Sequence, residues 1–170
     1  MGSTLTVDTI VGATTAAKVK MPAGSILQTL SSTKLDQQTD SSGSYVDITG
    51  LSVAITPFFS TSKILITIHV YASYTDAGML RLMRDSTRIP NNTQGNAADK
   101  RGYAMVRHGE ENEGNMYSFT HLDNPATTSA TTYKVQMCRE GGSGTMEINR
   151  RYVNANYSLC SSITVQEIAQ

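Results

Sequence analysis

The sequence has little of what marks a secreted disulfide scaffold or a membrane protein. Its 170 residues contain no tryptophan and only two cysteines. Cys138 and Cys160 lie far apart and outside any CxxC pair, so neither a disulfide framework nor a zinc or redox motif is expected. Each is out of phase with its apolar neighbours, which places both on the less buried face, and cysteine usage predicts that they are reduced structural thiols. No apolar run approaches the roughly 20 residues that cross a bilayer, and no basic region precedes an apolar one at the start, so neither membrane insertion nor export is predicted.

An excess of one charge is also missing. Fourteen basic and fourteen acidic side chains cancel, and only 16% of the residues are charged. No net field therefore favours nucleic acid, an anionic membrane or an acidic substrate. The abundance of Ser, Thr, Asn and Gly instead suits a β-rich surface protein.

Motifs that identify a catalytic or cofactor site are absent as well. His69 lies mid-strand among aromatic residues, where a half-buried structural histidine is the expected role. His121 and Asp123, with the many serines, have the residue types of a hydrolytic triad, but no GxSxG elbow accompanies them. Acidic residues lie mainly in turns, so no carboxylate pair suited to glycoside cleavage stands out. The sequence predicts neither an enzyme nor a cofactor.

One short cluster has the residue types of a metal site. His108 lies close to Glu110, Glu111 and Glu113, a mixed set of nitrogen and oxygen ligands. Transition-metal sites usually contain two or more closely spaced histidines, and this stretch has one. A solvated acidic turn without metal is therefore the expectation.

What the sequence does contain is alternation with a period of two from Ser25 onward, without capped helical runs. The strongest strand is "KILITIHVYASY", in which residues 64, 66, 68 and 70 share one apolar face. Further strands are predicted at residues 25–31, 45–48 and 51–55, and in "YAMVRH", "MYSFTHL", "TTYKVQMC", "GTMEINRR" and "SLCSSITVQEIA". About ten short alternating strands favour an all-β fold, an antiparallel β-sandwich of the jelly-roll type.

The segments between these strands are polar. "DQQTDSSGS" is expected to be a loop, and "GMLRLMRDSTRI" is expected to form a hairpin with the preceding strand across Thr75 to Gly78. Residues 90–102, "PNNTQGNAADKRG", are expected to form a long exposed loop, and "GEENEGN" an acidic turn.

The hydroxyl-rich stretch "LDNPATTSATTYKVQ" is interpreted as scaffold. Asp123 to Pro125 are expected to make a turn, and Ser129 to Thr132 to enter a strand. Tyr133, Val135 and Met137 then point to one sheet face.

The first residues form a separate unit in this interpretation. Residues 1–22 are expected to form an extended attachment or oligomerisation segment, and residues 23–170 the sandwich domain. The segment is too short to fold alone, so its apolar side chains need another surface. The candidate docking residues are Leu5, Val7, Ile10, Val11 and Val19.

Tyrosine is the main aromatic residue. Tyr103, Tyr117, Tyr152 and Tyr157 flank loops or turns, where tyrosine with Asn, Ser and Gly is typical of adaptable recognition surfaces. Tyrosines that only finish strand edges are the alternative.

The chain resembles virion appendage and tail-fibre-like proteins of bacteriophages, in particular those of marine and cyanobacterial phages. The resemblance rests on the opening "STLTVDTIVGATTAAKVKMPAGSIL" and on "GLSVAITPFFSTSKILITIHVYAS", "FTHLDNPATTSATTYKVQ" and "SSITVQEIA". It implies a non-enzymatic structural protein on the outside of the virion, usually a homotrimer, whose first residues dock it to other virion proteins or intertwine the chains. It also implies a role in host attachment through a surface glycan or protein.

The length favours a short tail fibre, tail tip or knob, since no extended shaft is present. Candidate receptor contacts lie in the long loop and the acidic turn, because recognition residues usually lie on loops of a rigid scaffold. They are Asn91, Asn92, Gln94, Asn96, Lys100, Arg101, Tyr103, Glu110, Glu111 and Glu113. The alternatives are a capsid decoration protein or capsid-mounted fibre, a glycan depolymerase, and a soluble jelly-roll lectin.

Overall fold

The computed structural model describes residues 7, 9–12, 19, 21–74, 77–92, 101–107, 114–140, 144–151 and 154–170. Within these ranges every regular element is a β-strand, and no helix that could cross a membrane is present. The strands are β1 (Ile26–Lys34), β2 (Gln38–Asp40), β3 (Val46–Ile55), β4 (Lys63–Ser73), β5 (Ala77–Arg84), β6 (Thr87–Ile89), β7 (Ala104–Arg107), β8 (Asn115–Asp123), β9 (Thr131–Arg139), β10 (Met146–Ile148), β11 (Arg150–Arg151), β12 (Asn154–Ser158) and β13 (Ser161–Ile168).

Two antiparallel sheets form the body of the molecule. Sheet I contains β1, β2, β4, β8, β10 and β13, and sheet II contains β3, β5, β6, β7 and β9. In sheet I, β13 and β10 pair with successive parts of β4, and β1 and β2 pair with β13 and β10 in turn. In sheet II, β6 and β7 pair with successive parts of β5. Each sheet is therefore four strand lines wide.

The order of these strand lines identifies the topology. Sheet I runs β1/β2, β13/β10, β4, β8, and sheet II runs β3, β9, β5, β6/β7. Successive strand lines mostly cross from one sheet to the other, and the first and last lines of the chain are neighbours. This is the arrangement of a jelly roll, so the expected fold class is confirmed.

The core lies between the two inner faces. Ile64, Ile66, Ile68 and Val70 of β4 are fully buried, as their alternation predicts. The inner residues of sheet II that complete the core include Leu80, Leu82, Tyr133, Val135 and Met137. The face predicted for Tyr133, Val135 and Met137 is thus confirmed.

The expected hairpin between β4 and β5 is wrong. β4 pairs with β13, β8 and β10 in sheet I, whereas β5 pairs with β6, β7 and β9 in sheet II. The tight hairpin in this region instead joins β5 to β6, with Arg84 opposite Thr87. Alternation indicates which residues share a face, but it does not indicate which strand lies alongside.

Four smaller expectations also change. The polar stretch "DQQTDSSGS" contains the short strand β2, and residues 46–55 form one strand with a register shift near Gly50, whose φ is +87°. Asp123 is the last residue of β8 rather than part of a turn. Cys138 is fully buried, because its thiol lies under the β2–β3 connection and donates to the Gly43 carbonyl at 3.2 Å. Cys160 is exposed, and both cysteines are thiols.

Glu147 of β10 is a buried carboxyl group near the end of sheet I. It is 4% exposed, and its Oε2 lies 3.1 Å from Nε of Arg150, although the two groups are not aligned as a hydrogen bond. Burial raises the pKa of Glu147 to about 7, against the opposing effect of the Arg150 charge. The folded protein therefore holds a proton here that the unfolded chain releases at lower pH.

This carboxyl group makes stability depend on pH. Between pH 4.5 and about 7 the folded state binds more protons at Glu147 than the unfolded state does, so the free energy of unfolding falls as the pH rises. We expect a loss of about 3 kcal/mol across this window from this group, and no further loss above it. Urea unfolding of wild type and Glu147→Gln at several pH values measures it. A wild-type profile that Glu147→Gln leaves unchanged would contradict the assignment.

Candidate functional site

The structure describes four of the predicted receptor contacts, namely Asn91, Asn92, Arg101 and Tyr103. The others lie outside the described residues: Gln94, Asn96, Lys100, Glu110, Glu111 and Glu113. His108 and Tyr152 lie outside them too. Asn91 and Asn92 are exposed, while Arg101 and Tyr103 are half-buried. The long loop thus leaves and rejoins the sandwich between β6 and β7, at the outer edge of sheet II.

The first end of this loop is held by Arg88 of β6. Its Nη2 donates to Oδ1 of Asn91 at 2.9 Å and to the carbonyl oxygen of Asn92 at 2.9 Å. A planar guanidinium that bonds two acceptors orders the chain with more directional precision than a lysine ammonium would. The loop therefore starts from an ordered position.

The second end is held by Tyr45, which precedes β3. The Tyr45 hydroxyl donates to the carbonyl oxygen of Arg101 at 3.1 Å, and the guanidinium of Arg81 lies 3.6 Å from the centre of the Tyr45 ring. At Gly102 an added Cβ would lie 2.6 Å from the Leu80 carbonyl oxygen. Glycine is thus needed for the backbone to approach β5 this closely.

Tyr103 follows Gly102 at the second end of the loop, and its side chain extends into the gap between the two sheets. Its ring stacks on Phe119 with centroids 4.4 Å apart, and the ring of His121 meets it edge-on at 6.0 Å. The Tyr103 hydroxyl donates to the Thr120 carbonyl oxygen at 2.6 Å, and burial raises its pKa. Most of this side chain is used in joining β7 to β8.

The other tyrosines differ in role. The Tyr117 hydroxyl accepts from the Arg107 backbone N–H at 3.3 Å and so fastens the same edge. Tyr157 of the β11–β12 hairpin is 57% exposed, with Arg151 over its ring at 4.7 Å. Of these, Tyr157 offers the most accessible ring.

The residue types of a triad are not brought together as a catalytic unit. The Asp123 oxygens accept from Arg84 Nη1 at 3.0 and 2.9 Å and from the Tyr133 hydroxyl at 2.7 Å. His121 faces Tyr103 instead. His69 is exposed rather than half-buried, and its Nδ1 lies 2.8 Å from Oγ of Ser118. No group of three or more metal-ligating side chains occurs within the described ranges.

Sequence reasoning missed the residues that hold the loop. Arg81, Arg88 and Tyr45 stand on three strands or strand ends, and the Tyr45–Arg101 bond joins residues 56 positions apart. The one available signal was the outward phase of Arg81 in β5. Pairings of this kind depend on strand order, which the alternating pattern does not contain.

The candidate docking residues of the first segment are mostly exposed. Val7, Ile10 and Val11 are 48%, 65% and 62% exposed, and Val19 is half-buried. Leu5 lies outside the described residues. The chain joins the sandwich at Gly24 and Ser25, through Gly24 N–H to Ala169 O and Ala169 N–H to Ser25 O, both 2.9 Å.

A cavity of about 240 Å³ lies at this junction. It is lined by Met21, Phe59, Thr61, Ala169 and Gln170. Nearby, the buried carboxylate of Glu167 accepts from the Phe58 N–H at 2.8 Å and from Gln28 Nε2 at 2.6 Å. The hydrogen bonds of the sandwich thus extend to the point where residues 1–22 join it.

Neither a protein-family model nor a curated protein sequence matches this chain.

Proposed function

We propose that this chain is a non-enzymatic structural component of a bacteriophage virion, a short tail fibre, tail tip or knob that contributes to host attachment. Residues 1–22 dock it to other virion proteins, and the jelly roll is presented outward, as a homotrimer. The loop between β6 and β7 contacts a glycan or protein of the host surface.

The observation that carries this proposal is the exposure of Val7, Ile10 and Val11 ahead of a closed sandwich. Three large aliphatic side chains within five residues, each about half exposed or more, leave apolar area in water that a partner surface would cover. The resemblance of "STLTVDTIVGATTAAKVKMPAGSIL" to phage appendage proteins supports the same role.

The contact loop is supported by its geometry. Arg88 holds its first end and Tyr45 its second, so a polar segment is presented from a rigid base. Rigid bases reduce the ordering cost of binding, and binding residues are often found on such loops. The exposed amide side chains of Asn91 and Asn92 supply hydrogen-bond donors and acceptors for a hydroxyl-rich or peptide ligand.

Two altered phages test the proposal. Deletion of residues 1–22 should leave a folded sandwich and remove the protein from purified particles, as measured by quantitative mass spectrometry of virions. Replacement of residues 91–98 by a short Gly/Ser linker should leave occupancy unchanged and reduce the rate of adsorption to host cells.

The matched control replaces residues 126–130, an exposed part of the β8–β9 connection, by the same type of linker. It should adsorb like wild type. Normal occupancy after the deletion would overturn the docking role, and undiminished adsorption after the loop replacement would overturn the contact role. Localisation of the wild-type protein to the capsid shell by immunogold labelling would favour a decoration protein or capsid-mounted fibre instead.

A further inference from the structure

The two outer faces of the sandwich differ in charge. The outer face of sheet II carries an ordered polar network, in which Lys134 donates to Asp47 at 2.8 Å, Gln136 to Asp47 at 2.6 Å and Arg81 to Gln136 at 2.7 Å. Partial burial acts to raise the pKa of Asp47, but the bonds from Lys134 and Gln136 outweigh it and lower the pKa. A face with paired charges and hydrogen-bonded polar groups is suited to contact with solvent.

The outer face of sheet I, in contrast, has no Asp, Glu, Lys or Arg over most of its area. We call this surface the neutral face and define it from the strand register. Its residues are Thr29, Ser31 and Thr33 of β1; Ser162, Thr164 and Gln166 of β13; Leu65, Thr67, His69 and Tyr71 of β4; and Met116, Ser118, Thr120 and Leu122 of β8. Lys63, opposite Ile168, is a charged residue at one border of this face, and Arg151 lies near Tyr71 at the other end.

The chemistry of the neutral face is arranged in bands. The register places Leu65 beside Leu122 at one end and Tyr71 beside Met116 at the other, and Leu122 and Met116 are 51% and 48% exposed. Between these apolar pairs lies a band of small hydroxyl side chains. Such short side chains lose little rotamer entropy when they are covered.

Several polar groups of this band already have partners on the face itself. His69 Nδ1 lies 2.8 Å from the Ser118 Oγ, and Gln166 Nε2 donates to Thr29 Oγ1 at 3.3 Å. Burying a polar group costs free energy mainly when its hydrogen bonds are lost. Part of the cost of covering the neutral face is therefore removed in advance.

The neighbouring edge strand is β8, whose Thr120 carbonyl oxygen accepts from the Tyr103 hydroxyl. β8 pairs with β4 and with no other strand among the described residues. From Asn115 to Leu122 the strand contains no Asp, Glu, Lys or Arg and no proline. Charged side chains and prolines are the usual features that keep an exposed edge from associating. Phe119 and Tyr117, on the inner side of this edge strand, are only half-buried.

We propose that the neutral face, with the β8 edge, is the surface through which copies of this chain pack against one another. A charged partner would lose hydration at this face without meeting a counter-charge. A second copy presents an equally uncharged surface, so the contact carries no such penalty. Self-association is also part of the proposed function, on which this inference rests.

The size of the face is compatible with this role. Two strand lines of about seven residues and two of about five, spaced about 4.8 Å apart with a rise of about 3.3 Å per residue, give a flat area of about 380 Å². The β8 edge adds to this area, which is about half of the roughly 800 Å² that each partner contributes to a standard interface.

The test places a charge in the middle of the face. Thr120→Lys and, separately, Thr164→Lys are compared with wild type by size-exclusion chromatography and light scattering over a concentration series. Thr132→Lys on the outer face of sheet II is the matched control, and Thr120→Val removes the hydroxyl without adding charge. Far-ultraviolet circular dichroism and thermal unfolding of each variant establish that it is folded.

We expect wild type, Thr132→Lys and Thr120→Val to be oligomers. Each lysine variant of the neutral face should dissociate, with an association constant at least about 100-fold weaker. A monomeric wild type, or folded Thr120→Lys and Thr164→Lys proteins that both assemble like wild type, would overturn the inference. If the lysine variants do not fold, hydrogen exchange of wild type decides it. Protection of the outer edge amides of β8 that is lost on dilution supports the inference, and exchange of those amides that is independent of concentration overturns it.

The variant that lacks residues 1–22, measured in the same way, distinguishes a failure of this inference from a failure of the proposed function. Its assembly through the neutral face should persist, whereas its attachment to particles is lost. A monomeric wild type that is still found on virions would overturn the neutral-face inference and the homotrimer, and would leave the docking of residues 1–22 to the virion standing. A neutral face that instead contacts a host glycan or another virion protein would give that same monomeric result.

Discussion

Replacing Asp123 with alanine is expected to lower the free energy of unfolding by about 3–4 kcal/mol. Asp123 ends β8 in sheet I and is 7% exposed. Its partners, Arg84 and Tyr133, belong to β5 and β9 of sheet II, so this network joins the two layers. The substitution leaves the cation without its carboxylate and the buried Tyr133 hydroxyl without its acceptor.

The acceptor is important because Tyr133 is fully buried. Burial raises the pKa of Tyr133, and the hydrogen bond to Asp123 raises it further, so the phenol stays protonated and donates to Asp123 at neutral pH. An unsatisfied buried hydroxyl costs about 1–3 kcal/mol, and the separated ion pair adds to that cost.

Urea unfolding followed by circular dichroism measures this effect. Tyr133→Phe removes only the donor and should cost about 1–2 kcal/mol, because Arg84 still satisfies the carboxylate. In the double variant, the two losses should be less than additive, since both side chains share one hydrogen bond. An Asp123→Ala loss below about 1 kcal/mol would show that the network does not hold the layers together.

The second large effect is expected at Asn149, which interrupts the strand line between β10 and β11. Its side chain is fully buried, and Nδ2 donates to the carbonyl oxygens of Lys34 at 2.9 Å and Asp36 at 3.1 Å. Its Oδ1 accepts from the Ser161 hydroxyl at 2.6 Å. One amide therefore ties the end of β1 to the start of β13.

Asn149→Ala should lower the free energy of unfolding by about 3 kcal/mol or more, because several buried groups lose their partner. The backbone φ of Asn149 is 59°, a left-handed conformation that asparagine adopts more readily than alanine. Asn149→Gly removes the side chain without backbone strain, so it should be about 1 kcal/mol less damaging than Asn149→Ala.

Thermal and urea unfolding of both variants checks this prediction. Equal losses of stability in Asn149→Ala and Asn149→Gly would contradict the predicted backbone strain in the alanine variant. A small loss in both would show that water replaces the amide side chain. Asn154→Ala, in the exposed hairpin that follows, is the control and should change stability by less than about 0.5 kcal/mol.

The buried face of each strand could be predicted from the sequence. The alternation of Ile64, Ile66, Ile68 and Val70 was sufficient to predict a buried face, because a β-strand directs every second side chain to the same side. The same rule identified the face of Tyr133, Val135 and Met137. It also excluded helices in favour of a sandwich, and the jelly-roll type was expected on that basis.

The candidate site was less predictable. The polar composition of residues 90–102 indicated a loop, and Asn91 and Asn92 are exposed as expected. The residues that hold its ends were not identified, since Arg88 and Tyr45 act through partners whose proximity depends on strand order. Tyr103 was expected to be available for contact, but it packs largely on Phe119.

What the sequence by itself determined is the local periodicity: which side chains alternate, where the turns interrupt them, and that charge is scarce and balanced. Only the tertiary structure decided that β4 and β5 lie in different sheets, that Asp123 bonds to Arg84 and Tyr133, and that the uncharged positions of four strands form one continuous face. The physical reason is that a period of two assigns each residue to a face, whereas the neighbour of a strand is chosen by the packing of the whole chain.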